Sequence, residues 1–402
     1  MQQHDHASPT FVSSNRFLNY IRTTESIIHS YNGAEPFHLF LKKYFSSNKK
    51  HGSRDRKEIA ALCYNYFRVC VGVSNEINFT EKTLTATFLC NNVPLKILEL
   101  FKPELNNSIS FPLEKKIALV KKEFDLNKLF PFLHELSDQI DSRLFENSFF
   151  IQPKLFIRIR AQFRNMVFEK LNAKKILFEK INDDCLAFAN SEKIDRVLDI
   201  DREAVIQDYN SQRTLELLTP VIDKTAEKIS VWDCCAGSGG KSILAMDTFK
   251  NIQLTVSDRR KQILINLQKR FKNAGIKKYH LFPADLEQSP ASLELFNIII
   301  ADVPCSGSGT WARTPEQLTF FGKNKIEEYA TLQQNIIKNI LPNLLAGGYI
   351  LYITCSVFKK ENEENVDRFQ KQYHLAIKGM DYLKGYEMQA DTMFVALLQK
   401  EK

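Results

Sequence analysis

Two cysteines stand where reactive thiols are useful. Cys305 lies in FNIIIADVPCSGSG and Cys355 in YILYITCSVFKK. Each apolar run reads as a buried strand, and each thiol follows the end of its run. Pro304 with a Gly/Ser run flanks one, and Thr354 with Ser356 flanks the other, settings that form accessible turns. A buried free cysteine is ordinarily a small hydrophobe, the reading that suits Cys63, Cys70 and Cys90. Asp302 precedes Cys305 by three residues. Thiolate nucleophiles with a neighbouring carboxylate suit covalent attack on an electron-poor centre.

A third element is ISVWDCCAGSGGKS, a strand, a glycine-rich turn and a helix start. Gly237, Gly239 and Gly240 let backbone approach a ligand, and the helix N-terminus offers free N–H groups. Two ligands compete for this turn. GGKS resembles the end of a phosphate-binding loop, with the IIIAD strand as its metal carboxylate, but Cys235 stands where that pattern requires glycine. The other ligand is S-adenosylmethionine, whose ribose diol needs an acid at the end of the second strand. QLTVSD supplies Asp258 there, followed by Arg259, and PADLEQ supplies Asp285 after the third strand, in reach of an adenine amino group. A strand-ending Asp is often only a helix cap. Acids at successive strand ends favour the methyl donor over the phosphate loop.

These residues need one crevice, and a parallel sheet provides it. From about residue 206, strands (ISVWDCC, QLTVSD, YHLFPAD, FNIIIADVP, YILYITCS) alternate with helices, which predicts a doubly wound, mostly parallel α/β sheet with the strands' carboxyl ends along one cleft. The apolar positions Ile326, Tyr329, Ile336, Ile337, Ile340 and Leu344 predict one long helix ended by Gly347 and Gly348. Residues 1–148 read as an all-helical domain of about six helices. Residues 149–205 read as a small α+β module with strands at PKLFIRIR, CLAFAN and DRVLDI and a helix at VFEKLNAKKI.

A donor methyl group beside two thiols suits carbon 5 of cytosine. That carbon is a weak nucleophile until a thiolate adds to carbon 6, after which it can attack a sulfonium methyl. A second thiol or another base can then assist loss of the carbon-5 proton and of the enzyme thiol. Asp302 would hydrogen-bond the cytosine edge. Which thiol attacks is not readable from spacing.

The motifs resemble those of the Sun/Fmu-type, RsmB-like RNA cytosine-5 methyltransferases. DCCAGSGGKS resembles the cofactor turn D-x-C-A-A-P-G-G-K, DVPCSGSG resembles D-A-P-C-S-G-x-G, RTPE resembles R-x-P-D/E, and TCSVFKKENE resembles T-C-S-x-x-x-x-E-N-E. VIQDYNSQ is similar to Q-D-x-x-S-Q, and ADTMFVALL to the terminal D-G-F-F-x-A strand. The resemblance implies a class I methyltransferase domain over 206–402, binding S-adenosylmethionine through Asp233, Cys235, Ala236, Gly237, Ser238, Gly239, Gly240, Lys241, Asp258, Arg259, Asp285 and Asp302. It implies Cys355 as the nucleophile, Cys305 as the thiol that assists product release, and Asp302 beside them. A DNA cytosine methyltransferase would use the PC cysteine as nucleophile. Segment 1–148, through DRKEIAALCYNYFRV, resembles a NusB-like RNA-binding domain. The implied substrate is ribosomal RNA with a 16S-type target. Gly237-Ser238 replaces the family's Ala-Pro, VPC replaces APC, and Thr392 and Met393 stand for Gly-Phe. The alternatives are a transfer RNA cytosine-5 methyltransferase and a non-catalytic RNA-binding or assembly protein that keeps the fold.

Composition sets the frame. At 402 residues, 44% apolar and 25% charged, the chain has material for two or three globular domains and is neither disordered nor a disulfide scaffold. No apolar window approaches a membrane span, and MQQHDHASPT lacks a signal peptide's apolar run, so a cytoplasmic protein without a membrane partner is expected. Its eight cysteines include no CxxC pair, so no metal is expected and the thiols should be reduced. Lys and Arg exceed Asp and Glu by 55 to 47, and between Lys241 and His280 ten basic residues face only Asp247 and Asp258, a patch suited to RNA phosphates. A monomer is expected.

Overall fold

The helical spacing of the first third is realised as eight α-helices in the computed structural model, which describes residues 9–222, 228–249, 251–288 and 294–401. They are α1 (Pro9–Ser30), α2 (Phe37–Ser47), α3 (Ser53–Val69), α4 (Phe79–Leu89), α5 (Lys96–Phe101), α6 (Pro103–Asn107), α7 (Leu113–Leu119) and α8 (Ser142–Ser148). The number exceeds six because proline divides the apolar runs. Pro103 opens α6 immediately after α5, and Pro112 precedes α7. Arg68, 2% exposed, organises this unit: its Nη1 donates to the carbonyls of Phe149 (2.9 Å) and Ala312 (2.7 Å), and its Nη2 to Gln152 Oε1 (2.8 Å). Burial pulls its pKa down, and these acceptors, with the Ile151 carbonyl at 3.2 Å, compensate the desolvated cation. Trp311 packs on Phe130 and Phe132, so a segment far along the chain is part of this core.

Compactness therefore divides the chain differently from the three consecutive segments 1–148, 149–205 and 206–402. One unit comprises residues 1–133, 142–152 and 311–321, and the other 134–141, 153–310 and 322–402. The small module belongs with the large sheet, and the peptide that follows Thr310 belongs with the helices. A sequence reading cannot see such exchanges, because it assigns contiguous stretches.

In the second unit, β1 (Leu155–Ile159), β2 (Glu179–Lys180), β3 (Cys185–Phe188) and β4 (Ala204–Ile206) form an antiparallel sheet of order β2-β3-β1-β4. α9 (Arg164–Ala173) covers it, with Val167 and Leu171 packed on Ile157, Ile159 and Leu186. DRVLDI is not a strand. Ile194–Arg196 is a 3-10 turn, and Ile200 makes only an isolated bridge to Ala204.

The chain then builds α10 (Tyr209–Arg213), β5 (Ile229–Asp233), α11 (Gly240–Thr248), β6 (Ile252–Asp258), α12 (Lys261–Ala274), β7 (His280–Pro283), β8 (Phe296–Asp302), α13 (Gln317–Phe320), α14 (Asn324–Ile340), β9 (Leu344–Thr354), α15 (Glu363–Tyr373), β10 (Leu375–Leu383) and β11 (Met393–Lys400). α13 lies in the helical unit and the rest in the second. The sheet order is β10-β11-β9-β8-β5-β6-β7, parallel from β7 to β9, with β11 antiparallel to both β9 and β10. This is the doubly wound sheet expected. Its core joins Val231, Val256, Ile300 and Ile353 to Leu264, Leu267 and Phe271 of α12. Chain order reverses between β5 and β8, which opens a crevice at their carboxyl ends.

The expected end of the long helix is corrected. α14 stops at Ile340, a 3-10 turn carries Pro342, and β9 begins at Leu344. Gly347 and Gly348 are strand residues. Gly347 has φ +76°, the pairing of β8 with β9 shifts register there, and a Cβ on Gly348 would lie 2.9 Å from the Asn297 carbonyl. They serve a bulge, where glycine admits close backbone approach.

Candidate active site

Strand ends deliver the site. The turn after β5 is held by backbone bonds, with the Cys234 N–H on the Ile300 carbonyl (3.0 Å) and the Ala236 N–H on the Ser257 carbonyl (2.9 Å). Gly237 and Gly239 have φ +53° and +84°, the left-handed region that favours glycine. A Cβ on Gly239 would lie 2.7 Å from Phe271, whereas one on Gly237 would meet nothing within 4 Å. One glycine packs against α12 and the other faces open space.

That space is a cavity of about 470 Å³, in the size range of small-molecule sites. It brings together Cys235, Gly237, Asp258, Arg259, Asp285, Asp302, Cys305 and Cys355 of the predicted residues, joined by apolar Leu286, Val303, Pro304, Leu332 and Ile336. Asp258 accepts from the Gly237 N–H (3.0 Å) and from the Arg260 N–H (2.8 Å) and guanidinium, and these bonds hold its carboxylate below the usual range against burial. Arg259 pairs with Glu287 (3.1 Å). Asp285 Oδ1 accepts from the Glu287 N–H (3.3 Å), the capping use of a strand-end Asp.

The remaining predicted residues do not line the cavity. Ala236, Ser238, Gly239 and Gly240 shape the turn behind it. Asp233 is fully buried and accepts from Ser242 Oγ on α11 (2.5 Å). Its other carboxylate oxygen has no hydrogen-bond partner among the described residues, and burial pushes its pKa up to about 7. Lys241 also points inward and donates to Asp302 Oδ2 at 2.7 Å. Burial opposes the Lys241 charge, but Asp302 and Cys355 outweigh it and raise the pKa. A phosphate loop keeps its lysine for phosphate, whereas here a carboxylate holds it.

The two thiols meet. The Cys355 N–H donates to Cys305 Sγ at 3.3 Å. The hydrogen bond with Cys305, together with burial and Asp302, pushes the Cys355 thiol well up, while Lys241 opposes the shift. Among the described residues, no group of His, Cys, Asp and Glu is placed to hold a metal ion, and no helix is long and apolar enough to cross a membrane.

Residues 217–398 match the family model described as "16S rRNA methyltransferase RsmB/F". The matched segment also has relatives at modest identity. A ribosomal RNA small subunit methyltransferase B of Xanthomonas campestris pv. campestris is 28% identical over 214 residues, covering 48% of this chain and 47% of the relative. The chain thus spans about half the length of the curated relatives it matches. The crystal structure of PH0851 aligns over 100% of both chains at TM-score 0.66 and 17% identity. A methyltransferase homologue from Pyrococcus horikoshii aligns over 66% of this chain and 92% of its own at TM-score 0.52 and 17% identity. These likenesses show the fold alone, that of the class I methyltransferases.

The two cysteine loops are aligned by a group within TCSVFKKENE whose role the motif alone does not reveal. Glu361, fully buried, accepts from the Ser306 N–H (2.9 Å), Ser356 Oγ (2.7 Å) and Gln333 Nε2 (2.9 Å). Gln333, on α14, also donates to the Pro304 carbonyl (3.0 Å). Asn362 accepts from Thr354 Oγ1 (2.6 Å) and donates to the Ser356 carbonyl (2.8 Å). Burial raises the Glu361 pKa, and its three donors pull it back. A visible signal was Gln333, which falls among the apolar positions of α14.

Proposed function

We propose that this chain transfers a methyl group from S-adenosylmethionine to carbon 5 of cytosine in RNA, with small-subunit ribosomal RNA as the substrate. The observation that carries the reading is the 3.3 Å approach of the Cys355 amide to the Cys305 sulfur in a cavity that also holds Asp302 and the glycine turn. The cavity suits the cofactor. Gly237 leaves room at the turn, Asp258 offers carboxylate oxygens for a ribose diol, Asp285 stands near for an adenine amino group, and Leu286 and Ile336 supply apolar walls. S-adenosylmethionine, when bound, supplies an electrophilic methyl group.

The chain's own residues do the rest. Cys355, as thiolate, adds to carbon 6 of cytosine and makes carbon 5 nucleophilic. Its raised pKa keeps the resting thiol protonated, so in the attack the thiol proton passes to Asp302, which can deliver it to the ring nitrogen at the cytosine edge, while the Lys241 cation stabilises the thiolate. Asp302, oriented by Lys241, binds the cytosine edge. Cys305 assists loss of the carbon-5 proton and release of Cys355. The target base must leave its stack, so an RNA loop or single strand is the better substrate. The helical segment and the exposed cations of the stretch 241–280, such as Lys261, Lys269, Lys272, Lys277 and Lys278, would hold phosphates, whereas Lys241 and Arg270 are engaged by Asp302 and Asp201, and Lys250 lies outside the described residues.

Labelled methyl transfer into ribosomal RNA, followed by bisulfite mapping, tests this function. Label at a single cytosine carbon 5 is expected. Label elsewhere, or none, refutes the reading.

A further inference from the structure

The glycine turn is held from outside by a side-chain chain. Ser238 lies between two glycines at positive φ. Arg270, on α12, donates from Nη1 to the Ser238 carbonyl (3.2 Å) and Oγ (2.9 Å). The same guanidinium is gripped from its other edge, with Nη2 at 2.7 Å and Nε at 3.0 Å from Asp201 Oδ1. Two-point contact of this kind fixes the plane as well as the charge. Asp201 belongs to the small module ahead of β4, is 4% exposed and has φ +71°. A non-glycine residue in that region is strained and persists where its surroundings dictate it.

The module is fastened to the helices on either side of the turn. Arg158 and Arg160 of β1 pair with Asp247 of α11 at 2.8 and 2.7 Å. Arg160 Nη1 also donates to the Ala274 carbonyl at the end of α12 (2.7 Å). Both side chains of the Asp201–Arg270 pair lie outside the cavity lining. Their effect on a ligand must pass through Ser238.

We propose that Asp201 and Arg270 are positioning residues of the cofactor turn, through which the small module sets the affinity for S-adenosylmethionine. The inference rests on the function proposed above. Calorimetry of the full chain with S-adenosylmethionine, alongside RNA binding and thermal melting, tests it. Arg270→Ala should weaken cofactor binding about tenfold, the scale of one charge-assisted hydrogen bond, with RNA affinity unchanged. Arg270→Lys should recover part of the loss. Asp201→Asn combined with Arg270→Ala should be no worse than Arg270→Ala alone, since Asp201 acts through the guanidinium. Ser238→Ala removes one contact without touching the Asp201–Arg270 pair and should weaken binding about two- to threefold at an unchanged melting temperature.

Wild-type binding together with undiminished binding by Arg270→Ala overturns the inference. So does a parallel fall in cofactor and RNA affinity that tracks loss of folded protein. A wild-type chain that binds no S-adenosylmethionine overturns the proposed function, and this inference with it.

Discussion

Replacing Glu361 by alanine removes the acceptor shared by both cysteine loops. Three donors lose this acceptor, the Ser306 N–H, Ser356 Oγ and Gln333 Nε2; Gln333 also donates to the Pro304 carbonyl, and Ser356 Oγ lies 3.3 Å from Ser308 Oγ. At about 1–3 kcal/mol for each buried donor that loses an acceptor, the Ser306 N–H and Ser356 Oγ together account for up to roughly 2–6 kcal/mol of stability. Activity should suffer separately, because a shift of about 1 Å between reacting groups can cost about 100-fold in rate. Glu361→Gln keeps one carbonyl acceptor and should cost roughly 1–2 kcal/mol. Urea unfolding gives the stability change, and single-turnover methyl transfer at saturating cofactor gives the rate. An alanine variant within about 0.5 kcal/mol of wild type, the range of ordinary surface changes, and equally fast would refute the idea that this carboxyl aligns the loops.

Two further outcomes follow from carboxyl groups. Asp233 has its pKa raised to about 7, so the folded state binds its proton more tightly than the unfolded state, and wild-type stability should fall as pH rises from about 4 to 7. Asp233→Asn keeps an acceptor for Ser242 and should lose that slope, a difference of up to roughly 4 kcal/mol at neutral pH; parallel denaturation curves across the range would contradict it. Asp258→Ala should weaken S-adenosylmethionine binding by calorimetry about 10-fold or more, and unchanged affinity would remove the proposed ribose contact.

Strand ends were the legible part of this protein. Apolar runs that stop at Asp258, Asp302, Cys305 and Cys355 show which residues a parallel sheet must deliver to its crevice, and the cavity contains all four. The same rule misled at Asp233, which also ends a strand. What distinguishes it is Ser242, one turn into α11, whose hydroxyl turns the carboxylate inward. Glu361 stood within TCSVFKKENE and Gln333 among the apolar positions of α14, but the network that joins them to Ser306 and Pro304 links segments far apart in sequence. DRVLDI alternates like a strand but pairs through a single isolated bridge at Ile200, and Leu344 continues the helical spacing although Pro342 has already ended the helix. The exchange of residues 311–321 into the helical unit depends on Arg68 and the aromatic packing of Trp311, which no local pattern encodes.

The central claim concerns which sulfur joins the base. Incubation of Cys305→Ala with S-adenosylmethionine and substrate RNA, resolved on a denaturing gel, measures it most directly. A slower-migrating RNA–protein adduct is predicted, since attack by Cys355 remains while its release is impaired, and the band should vanish when Cys355→Ser is added. An adduct that survives Cys355→Ser, or no adduct with Cys305→Ala alone, would contradict the account.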